Sequence, residues 1–295
     1  MSRIPIILNP CAGGGRLLRA RRGLEEAADK ARAEIEWWTT TGPGHAEELA
    51  RRAAAEDRPL VFAFGGDGTY NEVARGLLGS ATAMGILPGG TTSVLAYELG
   101  VPRPAPRALL SLLDGEDGPL RVGRTDRGDI VLLMLSAGPD SHVLEHLMPR
   151  LKRLGGRVGV ALQAVVELCS GSDLPRMAVG FAGKTIDAGW VVVGKSRCYA
   201  GRHRVTPGAD PSRADFEVVI QKSSGRVPAL RFLFGVPSGR HLGRSDVVRE
   251  IVDTVSIRPA QPDARVFYQI DGDVVGRLPV ALVIDPQTLW VRLPA

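Results

Sequence analysis

Residues 60–78 read LVFAFGGDGTYNEVARGLL, and this stretch decides the fold. Its first five residues are apolar and predict a buried strand. The turn GGDG at 65–68 favours glycine because its backbone either has a positive φ or approaches another segment closely. Thr69 and Glu72 fit a capping box at the start of a helix. A strand, a glycine turn and a capped helix in this order predict a phosphate site, because free backbone N–H groups and the positive end of the helix dipole face the turn.

Asp67 is the unusual residue of this turn. A carboxylate repels phosphate, so Asp67 is expected to hold Mg2+, a water bound to Mg2+ or a substrate hydroxyl. The alternative is an ordinary strand–turn–helix connection that carries an aspartate. The complete pattern of strand, glycines, carboxylate and helix favours the phosphate site.

The same order of elements opens the chain. Ile4 to Leu8 predicts a strand, Asn9 to Gly15 a glycine-rich loop and Leu17 to Glu34 a helix, so we expect a second phosphate site there. This loop is not a Walker A loop, because no Gly-Lys-Ser/Thr follows its glycines. Strands and helices alternate as far as Leu99, which predicts a mainly parallel α/β sheet with ligands at the carboxyl ends of its strands.

The chain changes character near residue 120. A proline-rich stretch and the loop 114–119 end the alternation, and short β-like runs follow, among them 216–220, 230–234 and 266–270. These runs predict a second domain built as a β-sandwich or partial barrel, interrupted by two helical patterns at 140–151 and 159–170. The predicted domains are therefore residues 1–119 and 120–285.

The composition limits the classes of function. The chain has 295 residues, 44% of them apolar, a formal net charge of +5 and a pI near 9.4. This basic excess suits nucleotides and anionic membrane surfaces, but it is too small and scattered to predict nucleic-acid binding. No apolar run approaches the roughly 18 residues that span a bilayer. The N-terminus has no signal-peptide pattern and the three cysteines show no C-x-x-C spacing, so we expect a cytoplasmic protein.

The GGDGT motif of residues 65–69 resembles the signature of the diacylglycerol kinase catalytic-domain family, which includes bacterial diacylglycerol kinases, YegS-like lipid kinases, sphingosine kinases and ceramide kinases. NAD kinases and phosphofructokinases share a related loop, so the motif alone does not choose among them. Further segments resemble the family in its own order and span most of the chain. They are Asn9-Pro10 with Gly13-Gly14-Gly15, Leu87-Pro88-Gly89-Gly90-Thr91, Cys198-Tyr199-Ala200-Gly201, Pro207-Gly208-Ala209-Asp210 and Asp271-Gly272-Asp273.

The resemblance implies a fold and two cofactors. The fold is an NAD-kinase-like α/β domain with a mainly parallel sheet, then a mostly antiparallel β-sandwich domain, with residues 286–295 returning to the first domain. The cofactors are ATP and Mg2+. The residues expected to contact the nucleotide are Asn9, Gly13, Gly14, Thr40, Thr41, Gly65, Gly66, Asp67, Gly68, Thr69, Asn71, Glu72, Gly90 and Thr91. For the two threonines at 40–41, a role at the start of a helix is the alternative.

The motif Asp271-Gly272-Asp273 resembles the segment that supplies the family's catalytic base. A lipid alcohol needs a group that accepts its proton, and a positioned carboxylate does this in other kinases. We expect Asp271 to be the base and Asp273 to coordinate or orient, and the two roles can be exchanged. Asp67 completes the predicted catalytic set. The alternative is a plain hairpin turn, which Asp-Gly favours.

The resemblance also implies a structural Mg2+ in the second domain. Asp215 is the candidate ligand and Asp210 the second one, although Arg213-Ala214 stands about where the family has Asp-Gly. Two other positions depart from the family: Ala12 replaces its usual serine and Ser93 its usual asparagine.

Two further motifs compete in the second half. Residues 142–146, HVLEH, match the H-x-x-E-H zinc motif, and a chance pattern on a solvated helix face is the alternative. Four cations at 150–157 are able to attract an anionic leaflet, and a solvated helix end explains them equally well.

The sequence thus predicts a lipid kinase, cytoplasmic and peripheral to the inner face of the membrane, that transfers the γ-phosphate of ATP to a lipid hydroxyl. Its partners are a nucleotide and a lipid substrate at the membrane surface. No nucleic acid is expected, and a homodimer is compatible with a sequence that gives no signal for oligomeric state. Two alternatives stay open: another GGDG-type kinase acting on a soluble substrate such as NAD, and a nucleotide- or lipid-binding module that has lost catalysis. No motif identifies the lipid.

Overall fold

The computed structural model describes residues 3–15, 17–90, 92–141, 174, 176–199 and 201–295. The chain divides into two compact units, one formed by Met1–Val122 with Asp285–Ala295 and the other by Gly123–Ile284. The sequence placed these divisions after residues 119 and 285. None of the described helices combines the length and the apolarity that crossing a membrane requires.

The first unit is a parallel sheet covered by helices. Its strands run in the order β2-β1-β3-β4, all parallel, and the end of β18 joins β4 in parallel at Val291 and Met84. β3 is buried along its whole length, as expected for a strand with both faces covered. The elements are β1 (Ile4–Leu8), α1 (Leu17–Lys30), β2 (Ile35–Thr39), α2 (His45–Ala55), β3 (Leu60–Gly65), α3 (Asp67–Leu77), β4 (Ala83–Pro88), α4 (Val94–Glu98) and α5 (Ala105–Leu113).

The second unit is an antiparallel β-sandwich. The elements that follow α5 are β5 (Asp117–Thr125), β6 (Ile130–Val131), β7 (Met134–Ala137), β8 (Met177–Phe181), β9 (Lys184–Ala188), β10 (Trp190–Gly194), β11 (Cys198–Tyr199), β12 (His203–Arg204), β13 (Phe216–Gln221), α6 (Arg226–Gly235), β14 (Val247–Val252), β15 (Thr254–Pro259), β16 (Phe267–Ile270), β17 (Asp273–Arg277) and β18 (Val280–Arg292). One sheet has the order β14-β13-β10-β7-β16-β17, and β18, β15, β8 and β9 are neighbours in the other. A single apolar core draws on both sheets, for example on Val191, Phe216, Val255 and Leu282. The predicted fold class, an α/β domain followed by a β-sandwich, is confirmed.

The predicted strand at 230–234 is wrong, because these residues lie in α6. Ala229 and Phe232 are both only 2% exposed, and their spacing of three places them on one helical face. Phe232 packs there against Trp190 and His241, with ring centroids 5.0 and 5.2 Å away. A short apolar run fits a strand or a buried helix equally well, so periodicity alone did not distinguish them.

Several predicted features lie outside the described residues. These are the helical pattern at 140–151 apart from residues 140 and 141, the whole helical pattern at 159–170, the H-x-x-E-H motif at 142–146, the cations at 150–157, and Thr91.

Burial of His241 leads to a prediction about pH. This side chain is fully buried, and its Nε2 lies 3.2 Å from the Val205 carbonyl oxygen. Burial lowers the pKa of His241 below its ordinary value of 6.5. The unfolded chain therefore binds a proton that the folded chain rejects, and the free energy of unfolding should fall as the pH drops below about 6.5, by up to about 1.4 kcal/mol per pH unit.

Urea unfolding between pH 5 and 8 measures this slope. His241→Asn should flatten it, whereas His203→Asn, at an exposed site in β12, should leave it unchanged. A slope that is the same in both variants would show that His241 is not its source.

Candidate functional site

Three loops meet at the carboxyl ends of β1, β3 and β4. The Asn9 side-chain amide donates to Thr69 Oγ1 at 3.0 Å and so joins the first loop to the start of α3. The backbone N–H groups of Gly89 and Gly90 donate to the Gly65 carbonyl oxygen at 2.9 and 2.7 Å. The structure therefore brings the three predicted glycine-containing loops together at one edge of the sheet.

Close packing explains Gly65 in the central turn and Gly90 in the loop that faces it. A Cβ added to Gly65 would lie 2.5 Å from Thr69 Oγ1, and a Cβ on Gly90 would lie 2.7 Å from Gly66 Cα. None of the three glycines in the turn has a positive φ. Of the two reasons that the sequence offered for glycine here, close approach applies at Gly65, whose neighbour is the Thr69 side chain, and neither applies at Gly68.

The predicted capping box at Thr69 and Glu72 is wrong. α3 begins at Asp67, two residues before Thr69, with Gly66 as its N-cap and no side-chain cap. Glu72 Oε2 instead accepts the N–H of Ala46 at 3.2 Å, in the first turn of α2. Glu72 thus stabilises the neighbouring helix, because α3 packs against α2 and brings the carboxylate to that N-terminus.

The first turn of α3 carries the donors that a phosphate site requires. The N–H groups of the first three residues of a helix, here 67–69, have no acceptor within the helix. Within the described residues these three amides have no recorded acceptor elsewhere either. Gly68 is exposed, and a Cβ built on it would meet open space. These amides therefore lie at the positive end of the helix dipole, and the exposed Gly68 leaves the turn accessible.

Asn9 organises the first loop. Its Oδ1 accepts the Cys11 N–H at 3.0 Å while its Nδ2 donates to Thr69. The predicted contacts Gly13 and Gly14 lie in the 3₁₀ turn Ala12–Gly15. Gly13 has φ +60°, and a Cβ there would lie 2.5 Å from a backbone oxygen of the loop after β4, so only glycine fits.

Asp67 holds the third loop to the second. Its Oδ1 accepts the Leu95 N–H at 3.1 Å, and its Oδ2 accepts the Val94 N–H at 3.0 Å and the Thr92 hydroxyl at 3.3 Å. Three donors occupy three of the four lone pairs of the carboxylate, which leaves one on Oδ1. Asp67 therefore fits a water bound to Mg2+ better than it fits several direct bonds to the metal.

Sequence reasoning missed two residues that support this site. Tyr70 is fully buried, and its hydroxyl lies 2.8 Å from the Gly65 carbonyl oxygen. Burial raises the pKa of Tyr70, so the hydroxyl stays protonated and donates. Arg103 Nη2 donates to the carbonyl oxygens of Gly90 and Thr92 at 3.0 and 3.2 Å. Tyr70 was visible inside the motif, whereas Arg103 lies in a proline-rich stretch that resembled a linker.

Thr40 and Thr41 have different surroundings. The Thr40 N–H donates to the Leu8 carbonyl oxygen at 2.9 Å, so Thr40 extends β2 beside β1 at the edge where the loops meet. Thr41 bonds to His45 Nδ1 through its N–H at 3.0 Å, in the turn that begins α2. Of the two, only Thr40 lies beside the loops.

Asp271 occupies the predicted hairpin turn and is held there by its own side chain. Its Oδ1 accepts the N–H groups of Leu133 and Met134 at 2.9 and 3.0 Å, and its Oδ2 accepts the Leu132 N–H at 3.2 Å. The φ of Asp271 is +53°, in the left-handed region. Asp273 is the exposed carboxylate of the pair, at the start of β17.

A buried lysine bonds to the backbone of the predicted metal segment at 210–215. Lys195 is 0% exposed, and its Nζ donates to the backbone oxygens of Asp210, Arg213 and Asp215 at 3.1, 2.6 and 3.0 Å. The Asp210 carboxylate accepts two hydrogen bonds from Ser212, which lower the pKa of Asp210. The Asp215 carboxylate pairs with Arg213. Among the described residues, no group of three or more His, Cys, Asp or Glu side chains is arranged to hold a metal ion.

Two known domain families match the chain, one in each unit. The diacylglycerol kinase catalytic domain matches residues 3–125, and the YegS C-terminal NAD kinase beta sandwich-like domain matches residues 134–293. The chain belongs to the diacylglycerol kinase family. The resemblance carried by the GGDGT motif and the later segments is therefore confirmed.

Individual members of the diacylglycerol kinase family align with nearly the whole chain. The diacylglycerol kinase of Bacillus subtilis is 24% identical over 100% of this chain and 97% of its own length. That of Mycobacterium tuberculosis is 26% identical over 100% and 96%. Two solved Bacillus anthracis structures with diacylglycerol kinase in their names superpose with TM-scores of 0.82 and 0.72, at 19% and 17% identity, over 99% of this chain and 95% and 96% of theirs. At this identity the structures show the shared fold, and the family establishes a kinase.

The crowding at Gly65 leads to a prediction with a matched control. Gly65→Ala should lower the free energy of unfolding by about 1–3 kcal/mol, because the new Cβ would lie 2.6 Å from Thr69 Cβ, a contact that no Thr69 rotamer relieves. Gly68→Ala, in the same turn but facing open space, should keep or raise stability, since alanine favours a helix. Denaturant unfolding of the two variants makes the comparison, and equal losses would refute the packing argument.

Proposed function

We propose that this protein is an ATP-dependent lipid kinase that transfers the γ-phosphate to a lipid hydroxyl of the diacylglycerol or sphingoid type. The accessible N–H groups at the start of α3, with three glycine-containing loops packed around them, are the observation that carries the proposal. Membership of the diacylglycerol kinase family supports it, since curated relatives from two bacterial genera carry the name diacylglycerol kinase.

The phosphate loops act by position and charge. The amides at 67–69 donate to phosphate oxygens and offset their charge together with the helix dipole. Gly13 and Gly90 allow the loops to approach one another without side chains, and Asn9 and Thr69 fix their spacing. Hydrogen bonds within the protein hold these groups in place, which lowers the cost of ordering them around phosphate.

Asp67 has a double role in this proposal. It keeps the loop at 92–95 attached to the start of α3 and holds a water of Mg2+ with its remaining lone pair. Mg2+ supplies neutralisation of phosphate charge when bound. The requirement for Asp67 is therefore structural as well as chemical.

In the second unit, the geometry favours Asp273 over Asp271 as the proton acceptor. Three backbone N–H groups fix the Asp271 carboxylate, which suits a residue that positions the turn. Asp273 is exposed and two residues away, where a lipid hydroxyl is able to reach it. Asp273 accepts the hydroxyl proton, and no covalent enzyme intermediate is needed.

A specific observation supports one alternative, a binding module without catalysis. Ala12, Ser93 and the segment Arg213-Ala214 all depart from the pattern that the family resemblance implies. A kinase acting on a soluble substrate such as NAD is the other alternative. The match of residues 134–293 to the YegS-type domain argues against it.

We place the lipid kinase in the cytoplasm, bound at the inner face of the membrane.

Phosphate transfer from labelled ATP tests the proposal. Protein with Mg2+ is incubated with mixed micelles of diacylglycerol, ceramide, sphingosine or total bacterial lipid, and separately with NAD. Labelled lipid is expected, and the lipid that accepts the label identifies the substrate class. Bound ATP with no labelled lipid would favour the binding module, and labelled NAD would favour the soluble-substrate kinase.

Carboxamide variants separate the roles of the two aspartates. Asp273→Asn should lower kcat by about 10²–10⁴-fold with unchanged stability, because it removes the proton acceptor. Asp271→Asn should also lower the free energy of unfolding by about 1–3 kcal/mol, since an amide NH2 would face backbone N–H donors. Asp187→Asn, at an exposed site in β9, is the matched control. Normal activity in Asp273→Asn with inactive but stable Asp271→Asn would reverse the assignment.

A further inference from the structure

The helix α6 has apolar side chains on both of its sides. Ala229 and Phe232 are buried in the second unit, whereas Val227 is 57% and Phe234 67% exposed. Exposed apolar side chains that are rimmed by polar residues are typical of sites that bind a protein or a membrane. The exposed side lines an open groove of about 520 Å³, whose charged and apolar rim we call the α6 surface and define as Val227, Leu230, Arg231, Phe234, Arg240 and Arg244.

The α6 surface lies in a segment of one charge sign. Residues 222–245 contain five Lys or Arg residues and no Asp or Glu. Arg244 pairs with Asp246 at 2.9 Å, but no ion pair is recorded for Arg231 or Arg240 with any described residue. The apolar side chains are thus flanked by Arg231 and Arg240, which form no ion pair with a carboxylate of the described residues.

We propose that the α6 surface docks on an anionic lipid leaflet. Val227 and Phe234 would enter the boundary between head groups and acyl chains, and the arginines would bind lipid phosphates, the arrangement by which interfacial helices attach to membranes. A second copy of this chain is a poor occupant, because a two-fold contact would place arginine against arginine. The docking extends the proposed lipid kinase function, since it brings the enzyme to its substrate, but it requires no catalysis.

Vesicle sedimentation tests the docking without ATP or diacylglycerol. Vesicles of phosphatidylcholine alone are compared with vesicles that contain phosphatidylglycerol. The protein should bind the anionic vesicles more tightly, and added salt should weaken this binding. Phe234→Gln should weaken it about tenfold through lost apolar burial, and Arg231→Gln with Arg240→Gln about 25-fold, about fivefold for each charge.

The control is the pair Ile251→Gln and Arg258→Gln, which removes one exposed apolar side chain and one exposed cation elsewhere in the same unit. Wild-type binding by both this control and the α6 variants would overturn the proposal. Loss of vesicle binding in the arginine variant alone would also overturn the proposal. Attraction by charge alone, of the kind that an acidic protein or a free polyanion exerts, does not require Phe234 to insert. Asp273→Asn should bind vesicles as the wild type does. The vesicle result therefore does not depend on the outcome of the kinase assay.

A second observation concerns the cation inside the second unit. The Lys195 ammonium has three N–H donors, and three backbone oxygens accept them at 2.6–3.1 Å. Mg2+ instead requires about six oxygen ligands at roughly 2.0–2.1 Å. Asp215 Oδ1 is buried without a partner, but this single oxygen does not complete such a shell while the carbonyl oxygens bind Lys195.

We infer that the Lys195 ammonium takes the place of the structural metal ion in this chain. It supplies a fixed positive charge to the turn 210–215, and the fully buried ammonium is satisfied by three carbonyl oxygens of that turn. The Lys195 ammonium therefore replaces the Mg2+ expected at Asp210 and Asp215, and the turn is not left without a cation.

Metal content and thermal unfolding without nucleotide test this inference. Native protein should carry less than stoichiometric divalent metal, and EDTA should leave its unfolding midpoint unchanged. Lys195→Met should lower the midpoint by several degrees, whereas Lys184→Met, at an exposed lysine, should not. Stoichiometric metal in the native protein, or a midpoint that falls with EDTA, would overturn the inference even if Lys195→Met does not fold.

Discussion

The carbonyl oxygen of Gly65 accepts the N–H groups of Gly89 and Gly90 and lies 2.8 Å from the Tyr70 hydroxyl. These bonds hold the turn after β3 against the loop after β4 so closely that a Cβ on Gly90 would lie 2.7 Å from Gly66 Cα. The first amides of α3 have no acceptor within the helix, as at the start of every α-helix, and this packing fixes the loops beside them.

Two motif aspartates are built alike in separate parts of the chain. Asp67 and Asp271 each accept three hydrogen bonds, most of them from backbone N–H groups of a distant segment. Each carboxylate therefore stabilises a loop as well as carrying charge. A substitution at either position changes geometry and chemistry together, so loss of activity alone does not identify a catalytic group.

Positive charge is used in two ways in the second unit. Lys195 is fully buried and bonded to carbonyl oxygens, so its desolvation is offset by three charge-assisted hydrogen bonds. Arg231 and Arg240 stand at the opposite extreme, beside exposed apolar side chains. The first arrangement suits a permanent internal cation, and the second suits an external anionic partner.

The sequence by itself determined the fold class, the three glycine loops and the family, because these depend on local patterns and on their order along the chain. The tertiary structure alone decided which residues satisfy one another. Glu72 caps a helix 26 residues away, Lys195 reaches carbonyl groups 15 to 20 residues away, and Asp271 holds amides 137 to 139 residues away. Residues 230–234 became a helix because the core accepts Ala229 and Phe232 on one face. Hydrogen bonds and packing act over a few ångströms in space. A single sequence does not indicate which residues, distant along the chain, lie within that range of each other.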